Sequence, residues 1–180
     1  DRDMTFRLEA IQALAEIGSD ADGAITALVA QAYKDKDESV RKAASEALHK
    51  LPLAKKLPEF VTILYGKNAE SRTTVLSLIE KDGIKARAAV PHLIECLKGE
   101  PPIRLAAVKA LGECGKDSNA AIDAVYALKK TDPEVEVRQA AITALDKLGP
   151  AAKLPALIEA LSGFDLDRKI EAAKGVADLG

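Results

Sequence analysis

A basic residue returns along this chain every 31 to 34 positions, six times in all. The six are Arg7, Arg41, Arg72, Arg104, Arg138 and Lys169. An Ala or Val follows each of them three positions later, an aliphatic residue seven positions later, and a Gly or Pro eleven positions later. A period of this length is typical of stacked repeats, each too small to bury its apolar face alone. We therefore expect an array that acts through an extended surface rather than through a single pocket.

Each repeat contains two apolar stripes of helical period and no strand-like alternation of useful length. One stripe follows the basic residue, as in Val137, Ala141, Leu145 and Leu148. The stripes predict helix pairs at 3–17 with 22–33, 37–51 with 54–65, 69–81 with 86–98, 102–114 with 119–130, and 133–148 with 151–161, then a sixth first helix at 165–179. The expected fold is an all-α, right-handed α-solenoid of antiparallel helix pairs.

The whole chain, residues 1–180, reads as one array. Its repeats are predicted at 1–33, 34–65, 66–98, 99–130 and 131–162, with a partial repeat at 163–180. The last helix stands without a partner, so we expect it to expose an apolar flank and the array to look cut rather than capped.

Charge and hydropathy exclude several classes of function. The formal net charge is −2, without the basic excess or stripe of a duplex-binding surface, so no nucleic-acid partner is expected. No apolar run approaches the roughly 20 residues that span a bilayer, so no membrane span is expected. Oligomeric state is left open.

The two cysteines, Cys96 and Cys114, fall near the ends of consecutive predicted helices. Those ends lie at opposite edges of an antiparallel pair, roughly 16 Å apart for an 11-residue helix. A disulfide needs Cα atoms within about 7 Å. We predict two small buried free thiols, which favours a reducing, cytoplasmic compartment. A leader removed before Asp1 stays open.

The repeat resembles a known family. Its residues follow the pattern Asp-x-Asp-x-x-Val-Arg-x-x-Ala-x-x-Ala-Leu from Asp35 to Leu48. The part of the pattern that begins at Val-Arg recurs in the first helix of a later repeat, from Val137 to Gly149. The second half of the pattern appears at Leu154-Pro155-Ala156-Leu157. This pattern is similar to HEAT repeats, most closely the short variety named after phycocyanobilin lyase subunits, and it covers essentially the whole chain.

The resemblance also implies a role for the six recurring basic residues, which we call the basic column. In such repeats the corresponding Arg bonds to loop aspartates and backbone carbonyls between adjacent repeats, which favours a structural role over a ladder that grips phosphates. The third repeat departs from the pattern, with Thr73, Thr74 and Val75 at usually small positions and Asp82 at a usually apolar one. We predict a local irregularity in stacking there.

The resemblance also places the second helices on the concave surface, which turns attention to their outward positions. The candidate partner-binding residues are Glu59, Thr62, His92, Glu95, Asp123, Tyr126 and Glu159. The four carboxylates among them would form a shallow acidic trough. Two interpretations stay open: a merely solvated polar face, or a docking surface for a protein partner with basic or mixed charge, with Tyr126 as an anchor.

No catalytic or metal constellation emerges from the sequence. His92 and Glu95 have helical i, i+3 spacing, but the adjacent His-Glu pairs by which related hydroxylases hold iron are missing, since Lys50 and Leu93 follow the two histidines. Neither Cys has an evident His partner, so no catalytic residue, metal or cofactor is assigned. The hypothesis is a non-catalytic interaction scaffold.

Two alternatives remain. The resemblance to bilin lyases implies an enzyme subunit acting on a bound chromophore or protein, although the chain has no Trp and few aromatic residues to stack on a tetrapyrrole. The second alternative is nucleic-acid binding, as in HEAT-like DNA glycosylases. Those proteins use basic concave surfaces and aromatic residues that are not evident here.

Overall fold

The protein, described by a computed structural model at residues 2–17, 23–163 and 165–179, is an all-α solenoid. Eleven α-helices follow one another in the described residues. They are α1 (Arg2–Ile17), α2 (Ala24–Lys34), α3 (Glu38–Lys50), α4 (Leu53–Leu64), α5 (Ala69–Asp82), α6 (Val90–Cys96), α7 (Pro101–Cys114), α8 (Asn119–Thr131), α9 (Val135–Leu148), α10 (Leu154–Ser162) and α11 (Leu166–Ala177). Each predicted helix is found within a few residues of its expected place, so the all-α solenoid is confirmed. Gly18 and Gly180, two of the predicted helix stops, lie outside the described residues.

Two second helices are shorter than predicted because they begin as 3-10 turns. Residues Gly83–Ala89 precede α6, and Pro150–Lys153 precede α10. A glycine with positive φ marks the start of each turn: Gly83, at 55°, is the first residue of one, and Gly149, at 106°, directly precedes the other. Residues with a Cβ rarely adopt this conformation. The chain therefore reverses direction sharply before the α-helix starts.

The core runs continuously through the array. Odd-numbered helices contact the next odd-numbered helix from α1 to α9, and each of α2, α6 and α8 packs on the first helix of the following repeat. The stripes predicted from sequence supply the buried side chains, such as Val40, Ala44 and Leu48 in α3 and Val125 in α8. Because each repeat is buried against its neighbours, stability comes from these interfaces rather than from separate cores.

The last helices expose an apolar flank, as expected. Ile158 in α10 occupies the position held by the buried Val125 in α8, yet it is 53% exposed. Leu161, Leu166 and Ile170 are also exposed. Both cysteines are free and buried, which confirms that prediction.

The basic column fastens the loops between repeats. Arg7 Nε lies 2.8 Å from Asp35 Oδ2, and Arg104 binds Asp132 through Nε at 2.7 Å and Nη2 at 2.9 Å, each 28 residues ahead. Arg138 donates instead to two carbonyls of its own loop, at Asp132 (2.7 Å) and Pro133 (2.9 Å). Arg41 does the same at residues 35 and 36. These arginines serve structure, as the family pattern implied.

The same loops delay the start of the following helix. Asp132 Oδ1 accepts a hydrogen bond from the backbone N–H of Glu134 at 3.0 Å, and Asp35 Oδ1 accepts one from Asp37 at 2.9 Å. In such a turn the aspartate side chain accepts a hydrogen bond from the backbone N–H group two residues later. Helix α9 therefore begins at Val135 rather than at residue 133.

Candidate protein-binding surface on the second helices

The seven candidate residues lie on four consecutive second helices. Glu59 and Thr62 are on α4, His92 and Glu95 on α6, Asp123 and Tyr126 on α8, and Glu159 on α10. All are exposed or half-buried. We call the outward side of α2, α4, α6, α8 and α10 on which they lie the second-helix face.

Polar contacts connect neighbouring helices along this face. Thr26 Oγ1 on α2 donates to Glu59 on α4. Tyr126 Oη on α8 donates to Glu159 Oε2 on α10 at 2.8 Å. These contacts join residues 33 positions apart, one repeat length, so equivalent positions meet across each boundary.

Tyr65 and His92 form a third connection, between the end of α4 and α6. The phenol oxygen lies 3.1 Å from His92 Nδ1, and the two rings meet edge to face with centroids 6.0 Å apart. Tyr65 is 56% exposed. The sequence interpretation missed this tyrosine because it falls just past the end of α4, outside the stripe used to define the face.

The carboxylates of this face do not form a trough of free negative charge. Glu159 also binds Lys130 Nζ at 2.5 Å, and the hydrogen bonds from Lys130 and then Tyr126 lower its pKa from the usual range. Glu95 pairs with Lys98 at 2.8 Å. Asp123 is exposed and makes no ion pair within the described chain. The face is therefore of mixed charge, because lysines that follow the candidate positions neutralise part of it.

Tyr126 contacts Lys129, Lys130 and Glu159 on the second-helix face. The ammonium groups of Lys129 and Lys130 approach its ring to 5.5 and 5.9 Å from the centroid, a cation–π arrangement. Burial, followed by the hydrogen bond and the negative charge of Glu159, raises the pKa of the Tyr126 hydroxyl. This phenol is therefore held as a neutral donor.

A cleft of about 580 Å³ adjoins Tyr126. Helix α8 supplies Tyr126 and Lys129, and the segment from Gly149 to Leu157 supplies six further residues. Helix α9 supplies Ile142, Leu145 and Asp146. The cleft lies where α8 and the 3-10 turn before α10 both contact α9. Of the residues that line the cleft, only Tyr126 was a candidate binding residue from the sequence.

The described parts of the chain offer no group of three or more His, Cys, Asp or Glu arranged to hold a metal ion. His92 Nδ1 forms a hydrogen bond with Tyr65, and Glu95 pairs with Lys98 rather than with His92. Likewise, no helix among those described is both long and apolar enough to cross a bilayer.

Comparison with known proteins finds similarity to a solved structure and to a sequence family. The chain is similar to a computationally designed armadillo repeat protein for modular peptide recognition, at 20% sequence identity, with 94% of this chain and 91% of that chain covered and a TM-score of 0.42. The sequence model of HEAT repeats matches residues 1–80 and 90–177, nearly the whole array. The chain belongs to the HEAT-repeat family.

Proposed function

We propose that this protein is a non-catalytic interaction scaffold that binds a polypeptide partner along the second-helix face. Repeats of this family are commonly protein-interaction scaffolds, and the fold is typically non-enzymatic. A stiff stack presents side chains at fixed intervals, so specificity resides in the residues that line it.

The placement of the tyrosines carries the proposal. The chain has only three, and two of them, Tyr65 and Tyr126, lie on the second-helix face. Tyrosine is enriched among the residues that dominate binding energy, because it combines a large apolar ring with a polar tip at low conformational cost. Each of these rings is oriented by a hydrogen bond to the next second helix, so its position is set before any partner arrives.

The charges of the face indicate the chemistry of the partner. Asp123 is exposed, and among the described residues Glu59 accepts a bond from the neutral hydroxyl of Thr26 alone, so both carboxylates are available to a ligand. We infer that the bound polypeptide carries basic side chains opposite these two residues. Such complementarity contributes mainly to specificity and to the rate of association.

Selection from a random peptide library displayed on phage tests this proposal. Peptides enriched on the immobilised protein are measured by fluorescence anisotropy against two variants, Tyr65→Ala with Tyr126→Ala, and Glu59→Lys with Glu95→Lys and Asp123→Lys. Loss of the two tyrosines is expected to weaken binding at least about tenfold.

A matched control reverses three exposed glutamates on first helices instead. These are Glu46, Glu136 and Glu171. The control should bind selected peptides as the wild type does, since it has the same change in net charge at another surface. A selection that enriches no peptide, or peptides that bind all three variants equally, rejects the second-helix face as the interface.

A further inference from the structure

The cleft beside Tyr126 combines an apolar floor with a net positive charge. Leu145 and Ala152 are buried beneath it, while Ile142 remains 40% exposed to the opening. The side chains of Lys129 and Lys153 line it, and Asp146 is its one carboxylate. The cleft volume of about 580 Å³ lies within the roughly 300–1,000 Å³ range of ligand sites, which combine apolar walls with a few polar groups.

Lys129 distinguishes this cleft from an ordinary surface groove. The residue is half-buried and its ammonium lies over the Tyr126 ring; among the described residues it forms no direct ion pair, although its charge acts on the nearby Glu159. The neighbouring Lys130 is neutralised by Glu159. An ammonium that forms no direct ion pair with the chain is free to donate to a ligand carboxylate, which gains a charge-assisted hydrogen bond.

The cleft is also obstructed in one direction. The Tyr126–Glu159 and Lys130–Glu159 contacts join α8 to α10 one helical turn beyond Ala156, which lines the cleft. A polypeptide lying in the cleft therefore cannot continue between these helices without breaking both contacts. A chain that ends in the cleft avoids that loss.

We propose that this cleft binds the C-terminal residue of a polypeptide, with its apolar side chain on Leu145, Ala152 and Leu157 and its α-carboxylate at Lys129. Lys153 adds a second cation, so the lining carries one net positive charge after Asp146 is counted. The inference rests on the proposed binding of polypeptides and adds which part of the partner is bound here.

The test uses three tripeptides and the full chain labelled with ¹⁵N. The probes are acetyl-Ala-Leu-Leu with a free carboxylate, the same tripeptide as its C-terminal amide, and acetyl-Leu-Leu-Glu as its C-terminal amide. Titration followed by amide chemical shifts should show binding of the free acid at the cleft, about tenfold tighter than either amide. Equal binding of the glutamyl amide overturns the assignment to a chain terminus, and equal binding of the leucyl amide overturns the role of the carboxylate.

Variants separate charge from shape. Lys129→Met should abolish the preference for the free acid while leaving weak binding of both leucyl tripeptides. Ala156→Trp, at an exposed position of the lining, should fill the cleft and remove all binding. Asp146→Asn should strengthen binding of the free acid by about threefold, because it removes the one repelling charge. Lys85→Met is the matched control, an exposed lysine remote in sequence from the cleft, and should change nothing.

The inference and the proposed function fail separately. If library peptides depend on Tyr65 and Asp123 but the free-acid tripeptide shifts no cleft resonance at millimolar concentration, the scaffold function stands and the terminus site is rejected. Free-acid binding that survives Ala156→Trp likewise rejects the cleft as its location.

Discussion

Lys56 and Asp82 form a buried ion pair where the second repeat meets the third. The ammonium nitrogen lies 2.6 Å from Asp82 Oδ2, and the two side chains are 1% and 7% exposed. Lys56 donates to the Leu48 carbonyl at 2.8 Å, and His49 Nδ1 lies 2.7 Å from Asp82 Oδ1. Asp82, which departs from the repeat pattern in sequence, is thus the counter-charge of the buried Lys56.

Replacing Asp82 by Ala should destabilise the protein by about 3–5 kcal/mol, because the Lys56 ammonium would stay buried without a counter-charge. The free energy of unfolding from urea titration measures the loss. Asp146→Ala, an exposed aspartate of α9, is the control and should cost less than about 0.5 kcal/mol.

The double variant Lys56→Met with Asp82→Leu tests whether the cost is electrostatic. Replacing both charges by apolar groups of similar volume is often neutral, so the double variant should recover most of the stability lost in Asp82→Ala. If it is as unstable as Asp82→Ala, then the loss arises from packing and not from the stranded ammonium.

Gly112 brings α7 and α9 into close contact and should not tolerate a side chain. A Cβ there would lie 3.0 Å from Ala144 Cα and 3.1 Å from its Cβ, and neither atom can move without shifting α9. Gly112→Ala gains about 1 kcal/mol of helix propensity but incurs overpacking of about 1–3 kcal/mol, so we expect a net loss near 1 kcal/mol in urea titration.

Gly175 in α11 offers the matched comparison. There the Cβ of an alanine would meet Leu157 Cδ2 at 2.9 Å, the flexible end of a side chain that can rotate away. Gly175→Ala should therefore be neutral or stabilising by up to about 1 kcal/mol. A loss at Gly175 as large as that at Gly112 would contradict this account of the close α7–α9 approach.

The helices of this fold could be predicted because periodicity is local. The stripe that includes Val137, Ala141 and Leu145 recurs in the first helices, and burial follows it in α3, α5, α7 and α9. The 3-10 turns before α6 and α10 were not foreseen, since they depend on the backbone angles at Gly83 and Gly149. Glycine in sequence marks a helix end without fixing the conformation that follows.

The long-range partners of polar residues were harder to predict from the sequence. Lys56 reads as a surface lysine in sequence, and only its packing beneath Asp82 makes it a buried charge. The seven candidate positions of the second-helix face are exposed or half-buried, but the pairing of Glu159 with Lys130 depends on the rotation between neighbouring helices. Such contacts span a repeat boundary, so no local pattern encodes them.

Cys114 should resist alkylation in the folded protein. It is fully buried, and desolvation raises the pKa of its thiol to about 12, so only about one molecule in ten thousand carries a thiolate at pH 8. Labelling with iodoacetamide should appear only at urea concentrations that also abolish the helical circular dichroism. The variant Ser77→Cys, at an exposed position, should label rapidly without urea. Modification of Cys114 at the rate of that exposed thiol would disprove its burial.

The bond between Arg104 and Asp132 predicts how stability depends on acidity. The hydrogen bond from Arg104 is the largest of the effects that lower the pKa of the Asp132 carboxyl below its usual value of 3.8. A carboxyl whose pKa is lower in the folded than in the unfolded state contributes stability above the unfolded value, and that contribution is lost as pH falls through the folded one. Asp132→Asn should therefore lower the melting temperature fully at pH 6, and its difference from the wild type should shrink below about pH 4. Asp123→Asn, at an exposed carboxyl without an ion pair, should match the wild type throughout, and a pH-independent deficit in Asp132→Asn would show that the carboxylate charge does not fasten these repeats.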